Sequence, residues 1–241
     1  MLAMLARALC LLVISIFTFP AHALKLVTEE NPPFNYTDPK TKEFTGITTQ
    51  LVKEALKRAN VPYSIDVLPW ARALSMAQTD PDTCIFATVR LPEREPLFQW
   101  VGPLSRANFS LFAMNSFQGK LNVLDDAKQY KIGGMIEDGP TKFVQSKGLK
   151  VEVVPDYKQN LHKLKAGHID LWVSSLERGP EMAAQAGVKD IKPVLLFRSV
   201  DHFLACSPKV PETTIKALSQ AVEAMRTEGV IKTKKYQPAD K

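Results

Sequence analysis

Cysteine and histidine are scarce in this 241-residue chain, with three of the first and four of the second. Three cysteines exclude a disulfide-framework miniprotein and a zinc module with several cysteine ligands. His162 and His168 stand six positions apart, so they do not share a helical face as i, i+4 metal ligands would. No metal site and no cofactor is expected. The sequence also lacks a Gly-x-Ser-x-Gly elbow, a phosphate-cradling Walker loop and a His-Glu-x-x-His helix. Gly133-Gly134 with Gly139 has the wrong spacing for a dinucleotide fingerprint. Beyond residue 23 no apolar run is long enough to cross a bilayer. Internal repeats and low-complexity tracts are missing as well.

What is present is globular. A hydrophobic share of 45% and a charged share of 23% exclude a wholly disordered chain. The length suits one large domain or two modest ones. A net charge of +6 favours anionic ligands but falls short of the clustered charge of a nucleic-acid binder, so no nucleic-acid partner is expected.

Residues 1–23 read as an address. Arg7 is the sole charged side chain before Lys25, and the apolar run Ala8 to Phe19 leads into Pro20-Ala21-His22-Ala23. A basic start, about a dozen apolar residues and an Ala-x-Ala ending describe a secretory signal peptide cleaved after Ala23. A membrane anchor would need roughly 20 apolar residues. The remaining chain is expected to work outside the cytoplasm, without stable membrane insertion and as a monomer. An oxidising compartment would let Cys84 and Cys206 pair, but nothing in their spacing implies proximity, and buried free thiols are expected.

From Leu24 the hydrophobic period alternates between strand and helix. Leu24–Thr28, Tyr63–Leu68 and Thr83–Val89 read as strands, with helices over Gly46–Asn60 and Trp70–Gln78 between them. The pattern restarts with strands at Lys131–Ile136, Val151–Val154, Ile169–Val173 and Pro193–Phe197. Helices at Thr141–Ser146, Asn160–Ala166 and Glu177–Ala186 separate them, and Glu212–Thr227 and a shorter helix reaching Tyr236 close the chain. This order suits parallel strands covered by helices, either as two α/β lobes or as one continuous flavodoxin-type sheet. Two extended segments, at 110–114 and 202–206, flank the second series. A chain that leaves one lobe, builds another and returns must cross twice, which makes a hinge with a cleft beside it.

The candidate chemistry is recognition. Arg72, Arg90, Arg94 and Arg106 fall within 35 residues, close to Trp70, Phe98 and Trp100. A guanidinium fork binds a carboxylate bidentately, and a stacked aromatic lowers the dielectric around it. The alternative is a surface charge run paired with Glu93 and Glu95, the aromatics lying in the core. Glu29-Glu30 and Glu93/Glu95 are expected to be solvated loop residues.

Thr28-Glu29-Glu30-Asn31-Pro32-Pro33-Phe34-Asn35-Tyr36 and Phe44-Thr45-Gly46-Ile47 resemble the opening of bacterial extracellular solute-binding proteins of family 3. Leu91-Pro92-Glu93-Arg94-Glu95, Phe98-Gln99-Trp100-Val101-Gly102-Pro103 and Ala166-Gly167-His168-Ile169-Asp170 are similar to later segments of that family, in order, over Leu24 to about Tyr236. The resemblance implies the type II periplasmic binding protein fold, α/β in class, with two α/β lobes joined by two hinge strands. The expected division is 24–108 with 207–241 for the first lobe and 109–206 for the second. It implies a non-enzyme that clamps a small polar ligand and passes it to an ABC permease or a membrane sensor; a dehydratase-like enzyme is the less favoured alternative. The ligand carboxylate is expected on Arg94, with Arg90 as rival, because the alignment between Thr88 and Arg94 needs a one-residue shift. Trp70 is expected as an aromatic wall, Glu30 and Phe34 on the first cleft loop, and Thr141 near the helix start of the second lobe. One departure stands out. Ser174-Ser175 occupies the place where amino-acid binders carry an ammonium-binding aspartate, and the nearest acid is Glu177. Ser175 is therefore a site residue of altered chemistry; Glu29, Glu30, Glu137 and Asp138 are candidate substitutes for the missing acid, and a carboxylate or other small polar ligand without an amine is an equal alternative.

Overall fold

The computed structural model describes residues 23–233. The leader, apart from Ala23, and the chain's last eight residues lie outside them; within them no helix follows the one ending at Thr227. Among the described residues ten strands form in chain order: β1 (Leu24–Thr28), β2 (Tyr36–Thr37), β3 (Phe44–Thr45), β4 (Tyr63–Val67) and β5 (Thr83–Val89), then β6 (Gln99–Met114), β7 (Ile132–Met135), β8 (Val151–Val154), β9 (Leu171–Ser175) and β10 (Ile191–Cys206). The helices are α1 (Ile47–Arg58), α2 (Trp70–Thr79), α3 (Gly139–Ser146), α4 (Tyr157–Lys165), α5 (Arg178–Gln185) and α6 (Glu212–Thr227).

Eight strands share one sheet in the order β4-β1-β5-β10-β6-β9-β7-β8, and β2 and β3 make a separate hairpin. Pairing is parallel within β4-β1-β5 and within β8-β7-β9, and antiparallel at every junction involving β6 or β10. Both sequence readings therefore meet in one object. The sheet is continuous because β6 and β10 have 16 residues each, about 50 Å at roughly 3.3 Å per residue, long enough to pass through both parallel groups. The β4-β1-β5 side is called the first half below and the β8-β7-β9 side the second. Pro193–Phe197 and 202–206 turn out to be one strand. Register shifts after Pro193, Leu196 and His202 let it bend and absorb a residue that cannot donate.

Each half is covered by its own helices. β5 is buried at all seven positions, which explains its unbroken apolar run. On one face of the first half, Val52 and Leu56 of α1 and Leu218, Val222 and Met225 of α6 pack on Leu26, Phe86 and Leu204. The second half buries Val144 of α3 against Leu171 and Val173, and Leu161 and Met182 against Phe112 and Trp172 on the other face. Gly46 fixes how α1 meets the first loop. At φ 121° a Cβ there would stand 2.4 Å from the Phe34 carbonyl oxygen, so only glycine allows the approach.

Cys84 and Cys206 are joined in a disulfide, contrary to the free thiols expected. They are directly opposite partners on β5 and β10, a register that spacing along the chain does not reveal.

Candidate functional site

The C-terminal ends of β1, β5, β7 and β9 open toward one place. There Glu29 and Asn31 follow β1, Arg94 follows β5, Asp138 and Gly139 follow β7, and Ser175 and Arg178 come from β9 and α5. Ala107 and Phe109 of β6 and His202 of β10 form the floor between the halves, and Trp70, the first residue of α2, closes one side. Together they line a narrow cavity of about 20 Å³, room for about one water molecule. Ligand crevices of open α/β sheets lie outside such carboxyl ends.

Two guanidinium groups are buried in the wall. Arg178 binds Asp138, with Nη1 3.4 Å from Oδ1 and a closer contact between Nη2 and Oδ2, and its Nε donates to Ser174 Oγ at 3.2 Å. Its Nη1 also lies 3.9 Å from Glu29 Oε1, across the cavity. Arg94 is 2% exposed. Its Nη1 donates to the Val89 carbonyl at 3.4 Å and its Nη2 to the Glu137 carbonyl in the other half. The Trp70 Nε1 donates to that same carbonyl at 2.7 Å, and Arg94 lies 5.6 Å from the Trp70 ring centre. Glu137, the acceptor of both, has a left-handed φ of 57°, a conformation costly outside glycine and concentrated at functional sites. Burial works against the charge of Arg94, while Asp138, Glu137, Glu93 and Glu29 support it.

The titrating groups are displaced strongly. Burial pushes the Glu29 carboxyl up to about 8, against the pull of Arg178. Burial, aided by repulsion from Arg178, holds His202 down at about 3, so its imidazole is neutral. His202 Nδ1 shares a hydrogen bond of 3.2 Å with Ser105 Oγ, which in turn meets Thr48 Oγ1 at 2.7 Å. The Phe34 ring meets the imidazole edge-on at 4.6 Å.

Of the residues singled out from sequence, Arg94, Trp70, Phe34 and Ser175 line this cavity. Arg90, Glu30 and Thr141 do not. Arg90 lies over Trp100 and Phe203, with its fork on the Glu95 carboxylate. Glu30 is exposed and accepts from Thr37 N at 2.9 Å and Thr37 Oγ1 at 2.6 Å. Thr141 is fully buried and its hydroxyl accepts from Met135 N at 3.1 Å, tying α3 to β7. Glu29, expected in solvent, is buried in the cavity wall, because adjacent residues leaving β1 face opposite ways. Sequence reasoning passed over Arg178, His202 and Asn31. One signal was available: Arg178 opens α5, and a cation at a helix N-terminus opposes the macrodipole. Among the described residues, no three His, Cys, Asp or Glu side chains are grouped to hold a metal ion. No helix among them is long and apolar enough to cross a membrane.

No protein-family model matches the chain, and no curated protein does. Solved structures do. A histidine kinase sensor domain with similarity to periplasmic binding proteins superposes with a TM-score of 0.78 at 14% identity, covering 87% of this chain and 92% of that one. An ancestral arginine-binding protein bound to glutamine gives 0.74 at 19% identity, over 86% and 93%. The arginine-, lysine-, histidine-binding protein ArtJ from Geobacillus stearothermophilus gives 0.74 at 14% identity, over 86% and 91%. At these identities the likeness establishes the fold, the two-lobed architecture of periplasmic binding proteins.

Proposed function

We propose that this chain is a periplasmic solute-binding protein, a divergent relative of family 3, that captures a small, carboxylate-bearing, amino-acid-like ligand by lobe closure. Of the described residues, 24–108 and 207–233 form one lobe and 109–206 the other, with β6 and β10 as the hinge. The observation that carries this reading is Arg94, a cation buried in the wall of a narrow cavity between the halves and backed by an indole. A guanidinium has five N–H donors, and Arg94 directs hydrogen bonds at only two carbonyls. The remainder suit a carboxylate. Such a group touches both halves only when they are shut, so its binding energy draws the open–closed equilibrium toward closure. Micromolar affinity needs about 8 kcal/mol. One bidentate pair, one aromatic wall and several hydrogen bonds are of that order.

Delivery to an ABC importer fits the amino-acid-binding neighbours, and binding without turnover fits them too. Sensing is the second reading, favoured by the kinase sensor domain with a TM-score of 0.78. The leader at residues 1–23 would direct the chain to the periplasm.

A thermal-shift screen over the twenty amino acids, dicarboxylates and small amines tests the capture step. Arg94→Ala should weaken a hit by roughly 100-fold or more, as loss of a buried charge-assisted pair does. Arg106→Ala should change it less than about twofold, because that side chain is exposed and paired at 2.8 Å with Asp201. Wild-type binding by Arg94→Ala would remove the reading.

A further inference from the structure

We propose that the second half carries a further binding site, separate from the cavity between the halves, for a small carboxylate with an apolar body. The site is an open groove of about 500 Å³ lined by Val123, Leu124, Phe143 of α3, and Leu195, Leu196 and Phe197 of β10. It shares no lining residue with the cavity between the halves.

The strand is bent to build this groove. Successive residues of a regular strand face opposite sides, so only alternate positions would line one groove. Leu195, Leu196 and Phe197 all line this one, between the register shifts after Pro193 and after Leu196. Bulges re-aim side chains in this way and are over-represented beside functional sites. The walls are apolar and uncovered. Val123 is 58% exposed and Leu196 53%, the two most exposed large apolar side chains among the described residues. The Phe143 and Phe197 rings are tilted by only 8°, with centres 5.8 Å apart, and give the groove a flat aromatic side. The volume lies within the range of about 300–1,000 Å³ usual for small-molecule pockets. Apolar surface rimmed by charge marks such sites.

The charge at this rim is positive and has no acid to meet. The Arg198 guanidinium lies 4.5 Å from the Phe143 ring centre, and the Lys147 ammonium 5.5 Å from it. Neither side chain makes an ion pair or a hydrogen bond among the described residues. Asp125, the acid of the lining, is paired with Lys128 at 2.8 Å. Two cations converging on one ring repel each other, and an anion between them relieves the repulsion. A carboxylate would take the Arg198 fork and lay its apolar body along the rings. A neutral guest would leave both cations without a counter-charge. A fully polar acid would leave Val123 and Leu196 in water.

The test uses naphthoate and decanoate, with naphthalenemethanol as the uncharged counterpart. Binding is read by calorimetry and by the methyl NMR shifts of Val123, Leu124, Leu195 and Leu196. Both acids should bind saturably and move those methyls, and the alcohol should bind about tenfold more weakly than naphthoate. Lys147→Gln combined with Arg198→Gln should weaken the acids by about tenfold and leave the alcohol unchanged. Leu196→Asp should abolish binding of all three while circular dichroism stays that of the wild type. Equal affinity for naphthoate and the alcohol, or no methyl shift at about 1 mM acid, would overturn the site. Loss of acid binding in Arg94→Ala, with none in the double variant, would place the acids between the halves and overturn it too. Capture of an acidic apolar peptide, with neither small acid bound, would make the groove a protein-docking face instead.

Discussion

Three parallel strands end on an antiparallel crossing strand in both halves of the sheet, but the seams are fastened differently. β5 meets β10 through the Cys84–Cys206 disulfide, whereas β9 meets β6 beside the Phe112 and Trp172 rings, 5.7 Å apart. The buried charges differ in the same sense. The second half neutralises its own cation, Arg178, with its own Asp138. The first half sends Arg94 to the Glu137 carbonyl and Glu29 toward Arg178, both in its neighbour. One half pairs its buried cation internally, and the other directs its buried charges at its neighbour. The covalent tie sits in the half that depends on its neighbour.

The largest way to disturb this contrast is to remove the tie. A disulfide spanning 122 residues restricts the unfolded chain by about 4–5 kcal/mol in the loop-entropy account. The Cys84→Ser, Cys206→Ser double variant should lose roughly that amount in urea unfolding. Hydrogen exchange should accelerate along β5 and β10 before β9 and the Phe112 end of β6. Equal acceleration in both halves would show that the disulfide fastens the whole sheet and not one seam.

Next in size is the second half's self-sufficiency. Asp138→Ala leaves the Arg178 guanidinium buried beside Glu29, 3.9 Å away, whose carboxyl burial keeps protonated at neutral pH. Breaking one side of a buried pair costs about 3–5 kcal/mol, and replacing both sides with apolar groups is close to neutral. Asp138→Ala should therefore lose about 3 kcal/mol, and adding Arg178→Leu should restore most of it. Failure of the second substitution to rescue would mean that Arg178 acts chiefly through Glu29, across the cavity.

How much of this was legible in sequence depends on whether the deciding contact is local. The alternating strand and helix pattern located each parallel triplet, since burial on one helix face or both strand faces imprints a period on the chain. The place of Phe34, Trp70, Arg94 and Ser175 in the cavity lining was expected from the family resemblance. That Arg94 and not Arg90 lines the cavity depends on Glu95 folding back on Arg90, and that Glu29 and not Glu30 does depends on the direction in which β1 ends. The disulfide, the Asp138–Arg178 pair and the His202–Ser105 contact join segments 122, 40 and 97 residues apart. No period or short motif encodes a meeting at that distance. Long strands that absorb Pro193 through register shifts hid themselves for a similar reason: the irregularity is repaired only by the partner strand.

The smallest effect expected is a pH dependence that also separates the halves. Glu29 sits at about 8 in the fold against an ordinary 4.5. The native state thus keeps a proton the unfolded chain has lost, and this contribution is full below pH 4.5 and fades as pH rises through 8. His202 sits at about 3 against 6.5, so its contribution is present above pH 6.5 and is lost as pH falls toward 3. Between pH 4.5 and 6.5 the two slopes oppose each other and stability should be nearly level. Above 6.5 only Glu29 acts, and the unliganded protein should lose about 2 kcal/mol by pH 8. Urea unfolding at pH 5.5, 6.5 and 8 reads this directly, and Glu29→Gln should abolish the alkaline loss while His202→Gln leaves it intact. An equal loss in Glu29→Gln would place its source outside the cavity wall of the first half, and the two halves would then differ in their fasteners alone.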